Sequence, residues 1–371
     1  MLHELALTTS GSAQDDTTYA WDVRTGTILT TFKQSGFLGH TLAPFKAPGY
    51  PLSCSGFMGA IPGRPMVHCY VWNKDQAFLK FPCPEKLSAL VLSYSGQWAV
   101  GGTPTGRLYL WETSSGQLLR YWDAHYKAVT TIQFARDDTF LMTGSEDAVV
   151  SMWELPEILE PLGYDLDPNQ PMGLTKQPPM DQAPSARYTW TDHTLPVTAV
   201  VCGFGLGPYT RTLTASRDRT CKLWDHTTGH LLTTFVFPVA ITSIVLTSTE
   251  TAFYAGGADG SIWQIDLFRR GSRDTTGVAN LSDLANTCEA VGGEQRIIDV
   301  ASDNQQTAPD SESAWPVMVG HSDAITGLQL TMDGTLLVSA SADERCIVWD
   351  VFSRQQLRTF TQHKGKTMVF F

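Results

Sequence analysis

The chain has 371 residues, with 37 acidic against 26 basic side chains and a formal charge of −11, a balance that argues against autonomous binding to nucleic acid. Seven scattered cysteines (Cys54, Cys69, Cys83, Cys202, Cys221, Cys288 and Cys346) include no Cys-x-x-Cys, so neither a disulfide framework nor a zinc site is expected, and the compartment reads as reducing, cytosol or nucleus. No run of eighteen apolar residues and no charged-then-apolar leader occur, so neither membrane spanning nor secretion is expected; with no basic import cluster, nuclear entry falls to a partner.

In chain order, Leu5 to Thr9 is an apolar strand pattern ahead of Trp21-Asp22. Similar short strands follow, each closing on an equivalent pair: Trp72-Asn73, Trp111-Glu112, Trp153-Glu154, Trp224-Asp225, Ile265-Asp266 and Trp349-Asp350. Four units continue through a turn into an outer strand, Thr25-Gly26 to Phe32, Ser115-Gly116 to Trp122, Thr228-Gly229 to Phe235 and Ser353 to Phe360. Gly36 to Pro65 is rich in Gly and Pro and reads as irregular loops between weak strands. Two insertions break the rhythm, 156–186 with seven prolines and five acidic residues, and 268–314 with eight acidic residues and four arginines. Both compositions resist packing, so both are expected to be mobile, with a short helix at Asn280 to Ala290. Both should leave one face of the molecule, on units four and six, flanking unit five. Before Trp21 there is room for one strand where a unit needs two, so Thr367 to Phe371 is predicted to pair in the first unit and clasp the termini.

Three units share a side-chain set. His321, Ser339 and Asp343 precede Trp349 by 28, 10 and 6 residues, and His125, Thr143 and Asp147 precede Trp153 identically. Thr214 and Asp218 precede Trp224 by 10 and 6, with His193 three residues further back across a longer hairpin at Gly203 to Pro208. A Ser, His, Asp set could be a hydrolase triad, but this one recurs three times, always with Trp, and no Gly-x-Ser-x-Gly elbow accompanies it. The pattern resembles the WD-repeat β-propeller family, in which Trp, Ser/Thr, His and Asp form a buried hydrogen-bond chain within a blade. Seven units then imply one seven-bladed propeller over 1–371, all-β, with the insertions in blades 4 and 6. Blades 1, 2, 3 and 6 lack the full set and must be held by packing. Trp98, Trp122 and Trp263 are expected between blades.

Trp190 to Thr198, Cys202 to Gly205 and Gly256 to Phe268, with an aliphatic residue in the Trp slot, are similar to the WD-repeat subunits of the rixosome. That resemblance implies a non-catalytic scaffold in a nuclear complex, nucleolar and nucleoplasmic, that processes the second internal transcribed spacer of pre-rRNA and matures the large ribosomal subunit. It implies binding to a large helical-repeat subunit of PELP type and to other rixosome subunits, and indirectly to the midasin AAA ATPase and pre-large-subunit particles. It also implies a helical C-terminal tail, beyond Phe371, through which a homodimer forms. The competing expectation is an adaptor recruiting substrates to a ubiquitin ligase or to a chromatin or replication-licensing complex, with a basic or aromatic-caged pocket at the channel mouth. No cofactor, metal or catalytic residue is expected. Arg217, Arg219, Arg269, Arg270 and Arg273 are the candidate partner contacts.

Overall fold

A short strand with one apolar face cannot bury that face alone; a sheet of four can, provided another sheet covers it. The computed structural model describes residues 5–9, 17–33, 35–37, 39–46, 55–72, 74–159, 184–205, 210–270, 288–290, 295–300, 315–361 and 367–370. Within it, seven sheets, each with four antiparallel strands, form the blades of a propeller. Blade 1 runs outward from Thr367–Phe370 through Leu5–Thr9 and Thr17–Asp22 to Ile28–Lys33. Blades 2 to 4 begin at Leu42–Lys46, Ala89–Leu92 and Val129–Phe134; blades 5 to 7 begin at Val197–Cys202, Ile241–Leu246 and Ile325–Leu330. Seven apolar clusters lie one at each junction between neighbouring blades.

The clasp is in place. Thr367–Phe370 takes the innermost position of blade 1 and pairs antiparallel with Leu5–Thr9, Leu7 opposite Val369 and Thr9 opposite Thr367. Phe371 lies outside the described residues.

Blade 2 corrects the expectation of irregular loops over Gly36 to Pro65. Leu42–Lys46 and Ser55–Ala60 pair in regular register, and Ser55–Ala60 pairs on with Met66–Val71. Its glycines serve close approach rather than turning: a Cβ on Gly59 would sit 2.4 Å from the Phe37 ring. The composition that reads as loop is a tightly packed strand.

Both long connections start on the face that carries the first-to-second turns. Leu155 N–H donates to Thr139 O at 2.9 Å and Leu267 N–H to Thr251 O at 2.8 Å, fixing both starting points. From there the described residues of the two connections take different paths. A short helix, Leu155–Leu159, packs Leu155 and Ile158 into the cluster between blades 3 and 4, where Arg120 donates to Ile158 O. The second connection pairs Phe268–Arg270 with Cys288–Ala290, so a strand stands where the end of the Asn280 to Ala290 helix was expected; residues 280–287 lie outside the described set. It then adds Arg296–Asp299 as a fifth, parallel strand on the outer edge of blade 5 and buries Ile298, Val300 and Trp315 between blades 5 and 6. A polar composition hid these few aliphatic anchors.

Candidate interaction surface

The opposite face, the tetrad face, carries the second-to-third turns and the blade-to-blade links. In blade 4, Trp153 Nε1–H donates to Thr143 Oγ1 at 3.0 Å, Thr143 Oγ1 lies 2.9 Å from His125 Nε2, and His125 Nδ1 lies 3.2 Å from Asp147. The same chain joins Trp224, Thr214, His193 and Asp218 at 3.0, 2.9 and 2.9 Å, and Trp349, Ser339, His321 and Asp343 at 2.8, 2.7 and 3.1 Å. The carboxylate can only accept, so Nδ1 carries the proton, and the Nε2 of the neutral imidazole accepts from the hydroxyl that itself accepts from the indole. Burial alone would raise the three carboxyls. The histidine and the backbone amides they accept from outweigh it, so Asp147, Asp218 and Asp343 stay below the usual carboxylate range. Thr143, Thr214 and Ser339 are wholly buried, so no substrate reaches these hydroxyls. The buried thiols of Cys69, Cys83, Cys202 and Cys346 are pushed up to about 12 by desolvation, which leaves them poor nucleophiles.

The other blades show what spacing missed. Trp21 Nε1–H donates to Thr8 Oγ1 at 2.7 Å, a polar link hidden because thirteen residues, not ten, separate the pair. Blade 2 uses Tyr70 rather than Trp72 in the indole position. Tyr70 is fully buried against Phe32 and Phe57, and its hydroxyl donates to Lys33 O at 2.9 Å, whereas Trp72 is half-buried. Two residues beyond the cross-strand partner of the ring, where Thr8, Thr143, Thr214 and Ser339 stand, blades 2 and 3 have Gly59 and Gly101. A Cβ on Gly101 would meet Leu87 and Trp111 at 2.9 Å, so apolar atoms fill the hydroxyl's place. In blade 6 the slot residue Ile265 is buried, and Trp263 packs edge-on to Phe237 at 5.6 Å.

A second hydroxyl set lines the hub. Ser88 donates to Val129 O at 2.6 Å, Thr130 to Val197 O at 2.7 Å, Thr198 to Ile241 O at 2.8 Å and Thr242 to Ile325 O, each tying one blade's innermost strand to the next. Thr326 holds the equivalent place in blade 7, and its buried hydroxyl has no partner among the described residues. The legible signal is a β-branched residue followed by Thr: Val129-Thr130, Val197-Thr198, Ile241-Thr242, Ile325-Thr326. These hydroxyls line a channel of about 860 Å³.

Three segments, 116–154, 185–225 and 315–350, match the family described as WD domain, G-beta repeat; they are the segments holding the three complete tetrads. Across most of the chain, similarity extends to WD repeat-containing protein 18 of Bos taurus, 31% identical over 96% of this chain and 70% of the relative. Pre-rRNA-processing protein IPI3 of Yarrowia lipolytica is 32% identical over 94% of this chain and 71% of its own length. The chain belongs to this WD repeat-containing protein 18 and IPI3 family. Protein ROOT INITIATION DEFECTIVE 3 of Arabidopsis thaliana matches at 29% over 96% of this chain and 68% of the relative.

In this member of the WD repeat-containing protein 18 family the tetrads also shape the surface. Asp147 accepts from the Tyr126 N–H at 3.1 Å, Asp218 from Thr194 at 3.1 Å and Asp343 from Ser322 at 3.0 Å, so each buried chain pins the residue after its histidine. Tyr126 is thereby presented almost fully exposed, 96%, with Leu195 half-exposed on the next blade. Arg217 is exposed at the channel rim, which Glu146 and Pro196 also line. Arg219 is exposed in a left-handed turn with φ of 68°. Arg269 and Arg270 follow Leu267 on the insertion face, and Arg273 lies outside the described residues. The candidate arginines therefore do not form one surface. On the insertion face, Asp138 accepts from the Tyr94 and Ser95 amides at 2.7 Å, and Glu250 accepts from Phe204 and Gly205. Both clamps hold left-handed backbone, φ of 56° and 55°, in place of the glycines that blades 3 and 7 use there, Gly96 and Gly334. Among the described residues, no group of three His, Cys, Asp or Glu could hold a metal ion.

Proposed function

We propose that this chain is a non-catalytic scaffold subunit of a nuclear complex that processes pre-rRNA at the second internal transcribed spacer and matures the large ribosomal subunit. The observation that carries the reading is the similarity to pre-rRNA-processing protein IPI3, which runs over 94% of the chain. The geometry supports a scaffold. Its Ser, His and Asp sets are sealed inside blades, while Tyr126 and Leu195 on one face and Tyr94, Met332 and Phe352 on the other stand exposed as anchors. In this reading the partners are a large helical-repeat protein of PELP type and other rixosome subunits, with the midasin ATPase and pre-large-subunit particles reached through them. The acidic balance leaves RNA contact to those partners.

The test is affinity purification of the tagged chain at moderate salt. A large helical-repeat protein and particles carrying unprocessed second internal transcribed spacer should co-purify, and depletion should raise that precursor. Their absence, with a ubiquitin ligase or a licensing complex recovered instead, overturns the reading in favour of an adaptor.

A further inference from the structure

Fifty residues separate Asp266, which ends the third strand of blade 6, from Val317, which begins its outer strand. Within that excursion, Arg296–Asp299 leaves its own blade and lies on the outer edge of blade 5. The pairing is parallel, Thr233 opposite Arg296 and Val236 opposite Asp299, whereas every other strand pair among the described residues is antiparallel. Ile298 and Val300 point inward and are buried; Ile297 is 72% exposed.

This edge differs from those of the other blades. At three junctions an aromatic ring in the slot of one blade rests on an aromatic ring of the preceding outer strand: Trp153 on Trp122 at 5.7 Å, Trp224 on Trp190 at 4.6 Å and Trp21 on Phe360 at 4.8 Å. Blade 6 has Ile265 there, a smaller side chain. The cluster holding Ile265 and Phe235 is the one that takes in Ile298, Val300 and Trp315. The edge thus combines two things a strand ligand needs, main-chain groups along Leu231–Val236 that the blade's own third strand does not use and an apolar socket beside them.

The resident strand is lightly held. It is four residues long, it buries one aliphatic side chain, Ile298, with Val300 just beyond its end, and 17 residues separate it from the outer strand of its own blade. Loop closure and backbone ordering oppose this pairing with a free energy of the same size as the burial that favours it. A segment already extended on another protein, or supplied at high local concentration within a complex, avoids much of that cost.

We propose that the outer edge of blade 5 is a strand-acceptor site, held in the free chain by Arg296–Asp299 and taken in a complex by an extended segment of a protein partner with aliphatic residues two apart. Main-chain bonds to Leu231–Val236 supply affinity, and the socket beside Ile265 selects the two aliphatics. The partner's strand runs parallel, as the resident does. This deepens the scaffold reading by naming the chemistry of one contact, and it can fail while membership of a pre-rRNA-processing complex stands.

The test uses the full chain and a fluorescent peptide with the sequence of Gln295–Val300. In the Ile298→Asp chain the resident is dislodged, so the peptide should bind at least ten-fold more tightly than to the unmodified chain. A peptide carrying the same substitution should not bind. Amide exchange in Leu231–Val236 should accelerate in the variant and slow again with peptide, while exchange in Thr220–Asp225 stays unchanged and shows that the blade is folded. A second chain, with residues 296–300 replaced by Gly and Ser, should behave like the first variant. Equal affinity for all chains, or unchanged exchange in Leu231–Val236 when the resident is removed, overturns the proposal.

Discussion

Blades 4, 5 and 7 are braced from within by Trp, hydroxyl, His and Asp, whereas blades 2, 3 and 6 reach the same four-stranded shape without that chain. The contrast lies in one backbone position. Where Thr143, Thr214 and Ser339 place a hydroxyl between ring and imidazole, blades 2 and 3 have glycine, and Phe37 or Leu87 occupies the volume. Each solution is complete in itself. A satisfied polar chain and a close-packed apolar patch both leave no orphaned group, and a hybrid would leave one. The contrast also separates display from strength. Only a tetrad has a carboxylate that holds the amide after its histidine, and the exposed tetrad-face anchors Tyr126 and Leu195 are on tetrad blades.

The largest test of that equivalence truncates one ring of each kind. Trp349→Ala in blade 7 and Trp263→Ala in blade 6 should each cost about 3–5 kcal/mol in urea denaturation, since the two indoles are 2% and 5% exposed. From spacing alone the Trp263 change would be expected to cost less. A loss at Trp263 under half that at Trp349 would show that apolar blades are weaker after all.

A pH titration sharpens the comparison at the junction of blades 4 and 5. His226 is buried against Phe140 with its Nε2 unpartnered among the described residues, and burial pushes its imidazole down to about 4 from an ordinary 6.5. The folded state thus binds fewer protons than the unfolded chain between those values. Stability is full above pH 6.5, falls as pH drops toward 4, and loses on the order of 3 kcal/mol across the window. His226→Leu should flatten that slope in urea midpoints measured from pH 7 to 4.5, and an unchanged slope would assign it elsewhere.

Ser339→Ala strands the Trp349 indole N–H and the His321 Nε2 and should cost about 1–3 kcal/mol. Gly101→Ser should also destabilise, by about 1–3 kcal/mol, because its Cβ overpacks Leu87 and no histidine waits for the hydroxyl. A neutral Gly101→Ser would break the claim that the two solutions do not interchange. The smallest contrast is at the hub. Thr198→Val removes the bond to Ile241 O and should cost about 1 kcal/mol, while Thr326→Val removes an unpartnered hydroxyl and should be neutral or stabilising in thermal melts.

Much of this architecture is legible in the sequence, for a physical reason. A tetrad fixes offsets because its members sit on adjacent strands joined by tight turns, so His321, Ser339, Asp343 and Trp349 announce a blade wherever those turns keep their length. The same reasoning fails where a turn lengthens. Thr8 lies outside the expected window, and Tyr70 supplies ring and hydroxyl in one residue, which left Trp72 as the more visible candidate. Glycine carries two opposite meanings, a turn at Gly96 with φ of 73° and close packing at Gly59, and only the packed structure separates them. Arg296–Asp299 was not readable because its partner strand, Leu231–Val236, is remote in the chain and only Ile298 and Val300 carry the burial.

The pairing of Leu5–Thr9 with Thr367–Phe370 has a bearing on synthesis. Translation delivers the second element of blade 1 about 360 residues ahead of the first, so the nascent ring stays an open arc with two unsatisfied ends until its last stretch clears the exit tunnel. During that interval a holdase that shields Leu5–Thr9 would protect the arc from pairing with a neighbour on the same polysome.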